Sequence, residues 1–312
     1  MDFTALLNTV VTLALLIAVG FGLRKRDIIN DTASKKLSEL IIKVGQPMLI
    51  ISSLISLEYS AENLRRGLFT LILSFAMHAF MGIIAFLVSK SVRDIDERKI
   101  TQLATVFTNC AFVGFPILKS IFGDGALFCG AFYLVGFHLF VWTLGIYIIS
   151  RGRDDIKLTP KKIFINYGTV PSIIGFVLFL LHVRLPDFIG MTASYLSSLC
   201  TPISVLITGA LIATGSLREL FGRAENYIVS AIKLILIPML VCIALKLCGL
   251  DHFYIVFGTV MAAMPSASVI TMLGEMYSVK PAYASRLVGV TSVLCVITLP
   301  LMVAFADFMA KL

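Results

Sequence analysis

Residues 1–23 read MDFTALLNTVVTLALLIAVGFGL, and the next three are Arg24, Lys25 and Arg26. A helix needs about 20 mostly apolar residues to cross about 30 Å of hydrocarbon, and this stretch supplies them. Positive charge follows the apolar run instead of preceding it, the reverse of a cleavable signal peptide, so the segment is expected to stay as a first membrane span. Runs of the same kind recur to the end of the chain. Composition agrees: 58% of residues are hydrophobic, 14% are charged, and mean hydropathy is +0.96. Soluble proteins carry about 45–50% apolar and about 25% charged residues, because their exteriors face water. The strict alternation of a membrane β-barrel is absent. The fold class is all-α, in a membrane.

Ten candidate spans follow from hydropathy, roughly 4–23, 36–57, 66–89, 101–118, 125–150, 162–181, 189–214, 227–248, 253–277 and 282–308. Short loops join them. A charged connection carrying Pro160, RGRDDIKLTPK at 151–161, is the expected midpoint linker and divides the chain into halves at 1–150 and 162–312. Five spans per half is an odd number, so the second half enters the membrane inverted. Apart from Lys43 and Lys233, Lys and Arg sit in the loops or at span ends, eighteen on the side of the odd-numbered loops against six on the other. That bias places the odd loops in the cytoplasm and both termini outside. It also explains the net charge of +8 without a nucleic-acid partner. The six cysteines form no CxxC pair and read as small hydrophobes, with no metal site or cofactor implied.

Helix-breaking residues recur at matching places. Pro47 in KKLSELIIKVGQPMLIISSL (35–54) answers Pro202 in ASYLSSLCTPISVLITGAL (193–211). The fourth span is interrupted at FTNCAFVGFP (107–116), the ninth at MPSAS (264–268). Broken helices at corresponding positions of inverted halves point to a transport site near the bilayer midplane. Gly114 and Pro116 weaken the helix after Asn109, whose amide can both donate and accept. Pro265 removes a donor, and the small residues after it keep backbone N–H groups accessible. Two half-helices starting at one spot would aim positive dipole ends at a carboxylate, with no buried Arg required. The expected substrate-facing set is Thr108, Asn109 and Cys110 with Pro265, Ser266 and Ala267.

Other in-span polar groups have local readings. Lys43 and Lys233 are expected to snorkel to the cytoplasmic surface, with a cavity role for Lys43 as the other option. Glu275, near Lys280, reads as an interfacial ion-pair partner. His78 and His138 are able to shuttle protons, though a hydrogen-bonded structural role suits them better. Lys43, His138 and Glu275 are thus accessory or coupling candidates. Phe122-Gly123-Asp124-Gly125 reads as a turn. No GxxxxGK[ST] or HExxH motif is present, and neither an ATP-driven pump nor a metalloprotease is expected.

The segments Thr108–Pro116 and Pro265-Ser266 through Glu275-Met276-Tyr277, then Pro281 and Pro300, resemble the auxin efflux carrier family along essentially the whole chain. The resemblance implies an elevator-like carrier of organic anions and a homodimer. Spans 1, 2, 6 and 7 would form its scaffold, and spans 3–5 and 8–10 a moving domain. Spans 4 and 9 would cross with Asn109, Pro265 and Ser266 at the substrate carboxylate, and Ser52 or Ser53 would mark a second-span contribution. Thr108 and Ser266 depart from the plant pattern of Pro and Gln, which favours a smaller acid such as malate or malonate over auxin. The competing readings are a sodium-coupled symporter of bile-acid-transporter type, which needs more in-span Glu, Asn and Gln than are present, and a non-transporting sensor or intramembrane enzyme.

Overall fold

The computed structural model describes residues 3–56, 59–153, 165–183, 185–214 and 222–312. Most of the expected 151–161 linker and the start of the expected sixth span lie outside the described residues. In chain order the helices are α1 (Phe3–Lys25), α2 (Asp31–Leu54), α3 (Ala61–Ser91), α4 (Ile95–Val106), α5 (Gly114–Phe122) and α6 (Gly125–Ser150). They continue as α7 (Thr169–Leu180), α8 (Asp187–Thr214), α9 (Ala224–Leu247), α10 (His252–Ala263), α11 (Val269–Met276) and α12 (Pro281–Lys311). Among the described residues there is no β-strand. Seven of these helices (α1, α2, α3, α6, α8, α9 and α12) are long and apolar enough to cross a membrane. The remainder are shorter, and the fourth and ninth expected spans each consist of two helices.

Local chemistry sets the boundaries. The side chains of Asn30, Ser60, Asp94 and Asp251 accept hydrogen bonds from the N–H groups of Ala33, Asn63, Glu97 and Tyr254, capping α2, α3, α4 and α10. Each cap satisfies one of the donors a helix start leaves unpaired. Wide π-helical turns at Ile41–Gly45 and Ile232–Leu236 run directly into Gln46-Pro47 and Ile237-Pro238. The wider turn gives the proline ring room and absorbs its missing N–H. Pro202 differs from Pro47: it restarts α8 after a break at Leu199.

A continuous apolar core joins α3–α6 to α9–α12. Against it, α1 packs along the second part of α8 at backbone distance. A methyl group on Gly20 would sit 2.1 Å from the Leu206 carbonyl oxygen, and one on Gly209 would sit 2.0 Å from that of Ile17. Only glycine fits either position, the small-residue contact that membrane helices use where burial of apolar surface gives no drive. The outer faces of α7 and α8 are apolar and exposed, with Ile173, Val177, Phe188 and Tyr195 pointing outward.

Candidate functional site

Both helix breaks fall where the chain chemistry predicts. The α region is disfavoured for the residue before a proline, and Met264 leaves α10 extended at φ −61°, ψ 149°. Pro265 has no N–H to return to the helix. In the first half, Phe107 is extended at φ −92°, ψ 114°. The Asn109 carbonyl then accepts the N–H groups of Val113 at 3.3 Å and Gly114 at 3.1 Å, which starts α5. Pro116 occupies the first turn of α5, where a missing donor costs nothing.

The two extended segments meet. Thr108 and Ser266 form an isolated antiparallel bridge. Asn109 N donates to the Pro265 carbonyl at 2.7 Å, and Ala267 N donates to that of Phe107 at 2.9 Å. The Ser266 hydroxyl donates to the Ala104 carbonyl at 2.8 Å, and Ser266 N donates to Thr291 Oγ1 at 3.2 Å. Thr108, Asn109, Cys110, Pro265, Ser266 and Ala267 are all buried in this crossing. Gly114 lies beside it, with the Met261 and Met264 side chains in contact range of its Cα face.

Not every donor is spent on the crossing itself. Among the described residues the Asn109 side-chain amide has no hydrogen-bond partner. The Thr108, Ser268 and Thr271 hydroxyls are buried without one. A buried unsatisfied hydroxyl costs about 1–3 kcal/mol, so an empty crossing holds unused donor capacity. α5 and α11 begin here, bringing the positive ends of two helix dipoles to the same place. A small, partly open pocket adjoins the crossing at Val113 and Pro265. Its other walls include Val10 and Leu13 of α1, Thr208 of α8, and Ser292 and Cys295 of α12. The pocket is mostly apolar and none of the unpaired donors lines it; the donors and the two helix N-termini together make the crossing a place that suits a small anion.

The accessory residues are elsewhere. Lys43 is exposed on α2, with Nζ 3.6 Å from Glu39. Gln46 Nε2 donates to His138 Nε2 at 2.7 Å, tying α6 to α2. Glu275 is exposed, and its expected partner Lys280 pairs with Asp94 at 3.0 Å instead. Ser53 is buried within α2 and Ser52 half-buried. His78 is buried, hydrogen-bonded to the Ser74 carbonyl at 2.7 Å. Lys233 corrects the sequence expectation: it does not snorkel but is fully buried, its Nζ donating to the Ala262 carbonyl at 2.8 Å. Its place within a π-turn rotates it inward, which hydropathy does not register. Thr271 was also missed, although it lies three residues after Ser268 and therefore on the same helix face. Thr291 and the pocket hydroxyls carried no sequence signal beyond being polar in an apolar run.

The sequence model of a family described as Membrane transport protein matches residues 5–303. The chain belongs to this family. It is the auxin efflux carrier family, whose resemblance rests on the two broken segments. A relative described as an uncharacterized transporter of Methanocaldococcus jannaschii is 26% identical over 278 residues, covering 87% of this chain and 89% of that one. An uncharacterized transporter of Methanothermobacter thermautotrophicus is 24% identical over 311 residues, covering 96% and 98%. This member of the auxin efflux carrier family is a multi-pass membrane protein of a transporter class.

Proposed function

We propose that the chain is a secondary transporter of a small organic anion, a carboxylate such as malate, malonate or an auxin-like acid. One observation carries the reading: the Thr108–Ser266 bridge brings two helix N-termini and a set of unspent donors to one crossing, which a small pocket touches at Val113 and Pro265. A carboxylate has the charge and the acceptors to satisfy that set.

The proposed architecture has ten crossings in two inverted five-helix repeats, with α4–α5 as the fourth and α10–α11 as the ninth. The scaffold consists of α1, α2, α7 and α8, and the moving domain of α3–α6 and α9–α12. The main-chain contact of α1 with α8 and the pocket where these two helices meet α12 and the crossing support this division. Elevator-type alternating access would carry the crossing past the scaffold. A homodimer in a bacterial plasma membrane, with both termini extracytoplasmic, completes the reading. The loop charge bias supports the orientation, and the exposed apolar faces of α7 and α8 supply surface for a second copy.

The test is counterflow of radiolabelled malate and malonate in proteoliposomes. Exchange that persists without sodium and responds to an imposed voltage is expected. Silence across a panel of small carboxylates would remove the function.

A further inference from the structure

The transport reading leaves unused a fully buried cation that, unlike the buried Lys99 with its partner Asp96, pairs with no carboxylate among the described residues. Lys233, fully buried on α9, donates from Nζ to the Ala262 carbonyl at the last turn of α10. The adjoining Ala263 carbonyl receives the Cys295 thiol at 3.7 Å. These carbonyls belong to the set that every helix end leaves without intrahelical donors, and they form the negative end of the α10 dipole. In carriers with broken helices, such ends and the unwound carbonyls beside them hold the coupling cation. Here a side-chain ammonium stands in that place.

Its surroundings contain nothing to neutralise it. The charge acts on Cys110 of the crossing, Cys295 of α12 and His78 of α3, and none of these is a carboxylate. Among the described residues no acidic side chain pairs with Lys233. A buried ion without a counter-ion is costly and burial favours the neutral amine, so the charged form depends on the α10 helix end and on an arriving anion. The first half handles its equivalent end differently. At α4 the Ala104 carbonyl is met by the neutral Ser266 hydroxyl. Charge is used on one side of the crossing only.

We infer that Lys233 is a resident cation: a positioning residue that holds the broken end of α10 and supplies the positive charge a coupling ion such as Na⁺ would otherwise bring, so that anion binding at the crossing needs no Na⁺. The anion part rests on the transport reading above; the ion part does not.

The experiment compares thermal melting of the purified full chain in NaCl and in choline chloride at equal ionic strength, with radiolabelled malonate uptake in both media as a separate arm. Lys233→Gln keeps a donor for Ala262 and removes the charge; Lys233→Arg keeps the charge. Wild type and Lys233→Arg are expected to melt alike in the two salts. Lys233→Gln is expected to melt lower in choline and to recover in NaCl, and to lose about tenfold or more of its sodium-free uptake, the scale of a lost charged hydrogen bond. Stabilisation of the wild type by NaCl over choline would overturn the inference, as would a Lys233→Gln protein that melts identically in both salts and transports like wild type. Where Lys233→Gln does not fold, the salt comparison on wild type and Lys233→Arg decides, and a NaCl-specific rise in either overturns it. No malonate uptake by the wild type would count against the transport reading alone, because the melting arm contains no substrate.

Discussion

The two breaks that meet at the crossing are built differently. The first, residues 107–113, is tied largely to itself: the Asn109 carbonyl gathers the N–H groups of Val113 and Gly114, and the Thr108 hydroxyl has no partner. The second, residues 264–268, is anchored to its surroundings. Ser266 bonds Ala104 of α4 through its hydroxyl and Thr291 of α12 through its N–H, while Lys233 of α9 holds the Ala262 carbonyl in the last turn of α10. A segment fastened to two neighbouring helices is suited to fixing geometry, although its Ser268 hydroxyl stays unpaired. The first, with the Asn109 amide and the Thr108 hydroxyl unspent, is suited to meeting a ligand.

Substitutions should separate these roles. The largest effect is expected from Asn109→Ala, which should reduce carboxylate transport by about tenfold or more, equivalent to about 1.4 kcal/mol of binding, while melting stays near wild type. Normal transport kinetics in that variant would take the amide out of the site. Ser266→Ala should show the opposite profile. Losing the hydroxyl strands the buried Ala104 carbonyl at a cost of about 1–3 kcal/mol, read as a lower melting temperature. An unchanged melt would mean the second break is no more anchored than the first.

How far the sequence reached follows the same division. The apolar runs, the proline before which α10 stops, and the glycine at the start of α5 are local signals, and they located both breaks. Which donors are used is not local. Nothing around Ser266 announces that the carbonyl of Ala104, 162 positions earlier, accepts its hydrogen bond. Nor does a lysine amid Ile, Leu and Pro declare whether it points to lipid, water or a helix end. Lys233 points inward because the π-turn before Pro238 resets the helical phase, and a regular hydropathy pattern assumes a constant one. Asp94 and Lys280 likewise meet across 186 residues, so the nearer Glu275 looked like the natural partner.

Smaller effects sharpen the contrast. Thr108→Val keeps shape and removes an unsatisfied hydroxyl, so it should raise stability by up to about 1 kcal/mol while weakening substrate affinity. A stability gain with unchanged KM would make Thr108 a packing residue. The smallest effect belongs to the exposed Asp94–Lys280 pair, which joins the residues just ahead of α4 and α12. The Glu97 N–H and then the Lys280 ammonium hold the Asp94 carboxyl below its ordinary value of 3.8. A depressed carboxylate stabilises the fold at neutral pH, and that contribution disappears as pH falls through the depressed value. Asp94→Ala should therefore melt slightly lower than wild type at neutral pH, and the gap should close in acid. A gap that persists below the carboxylate range would assign the effect to lost capping geometry instead.

The glycine contact between α1 and α8 has a mechanical corollary. With Gly20 and Gly209 seated against opposing main chain, a slip of one residue would drive a side chain into a carbonyl, so these two helices are keyed like a bolt in its slot. On their other flank they meet α12 through side chains, Ile17, Phe21 and Ile212 packing with Val290, beside the small pocket. A displacement of α12 against this pair would exchange side-chain packing, whereas one of α1 against α8 would collide main chain with main chain.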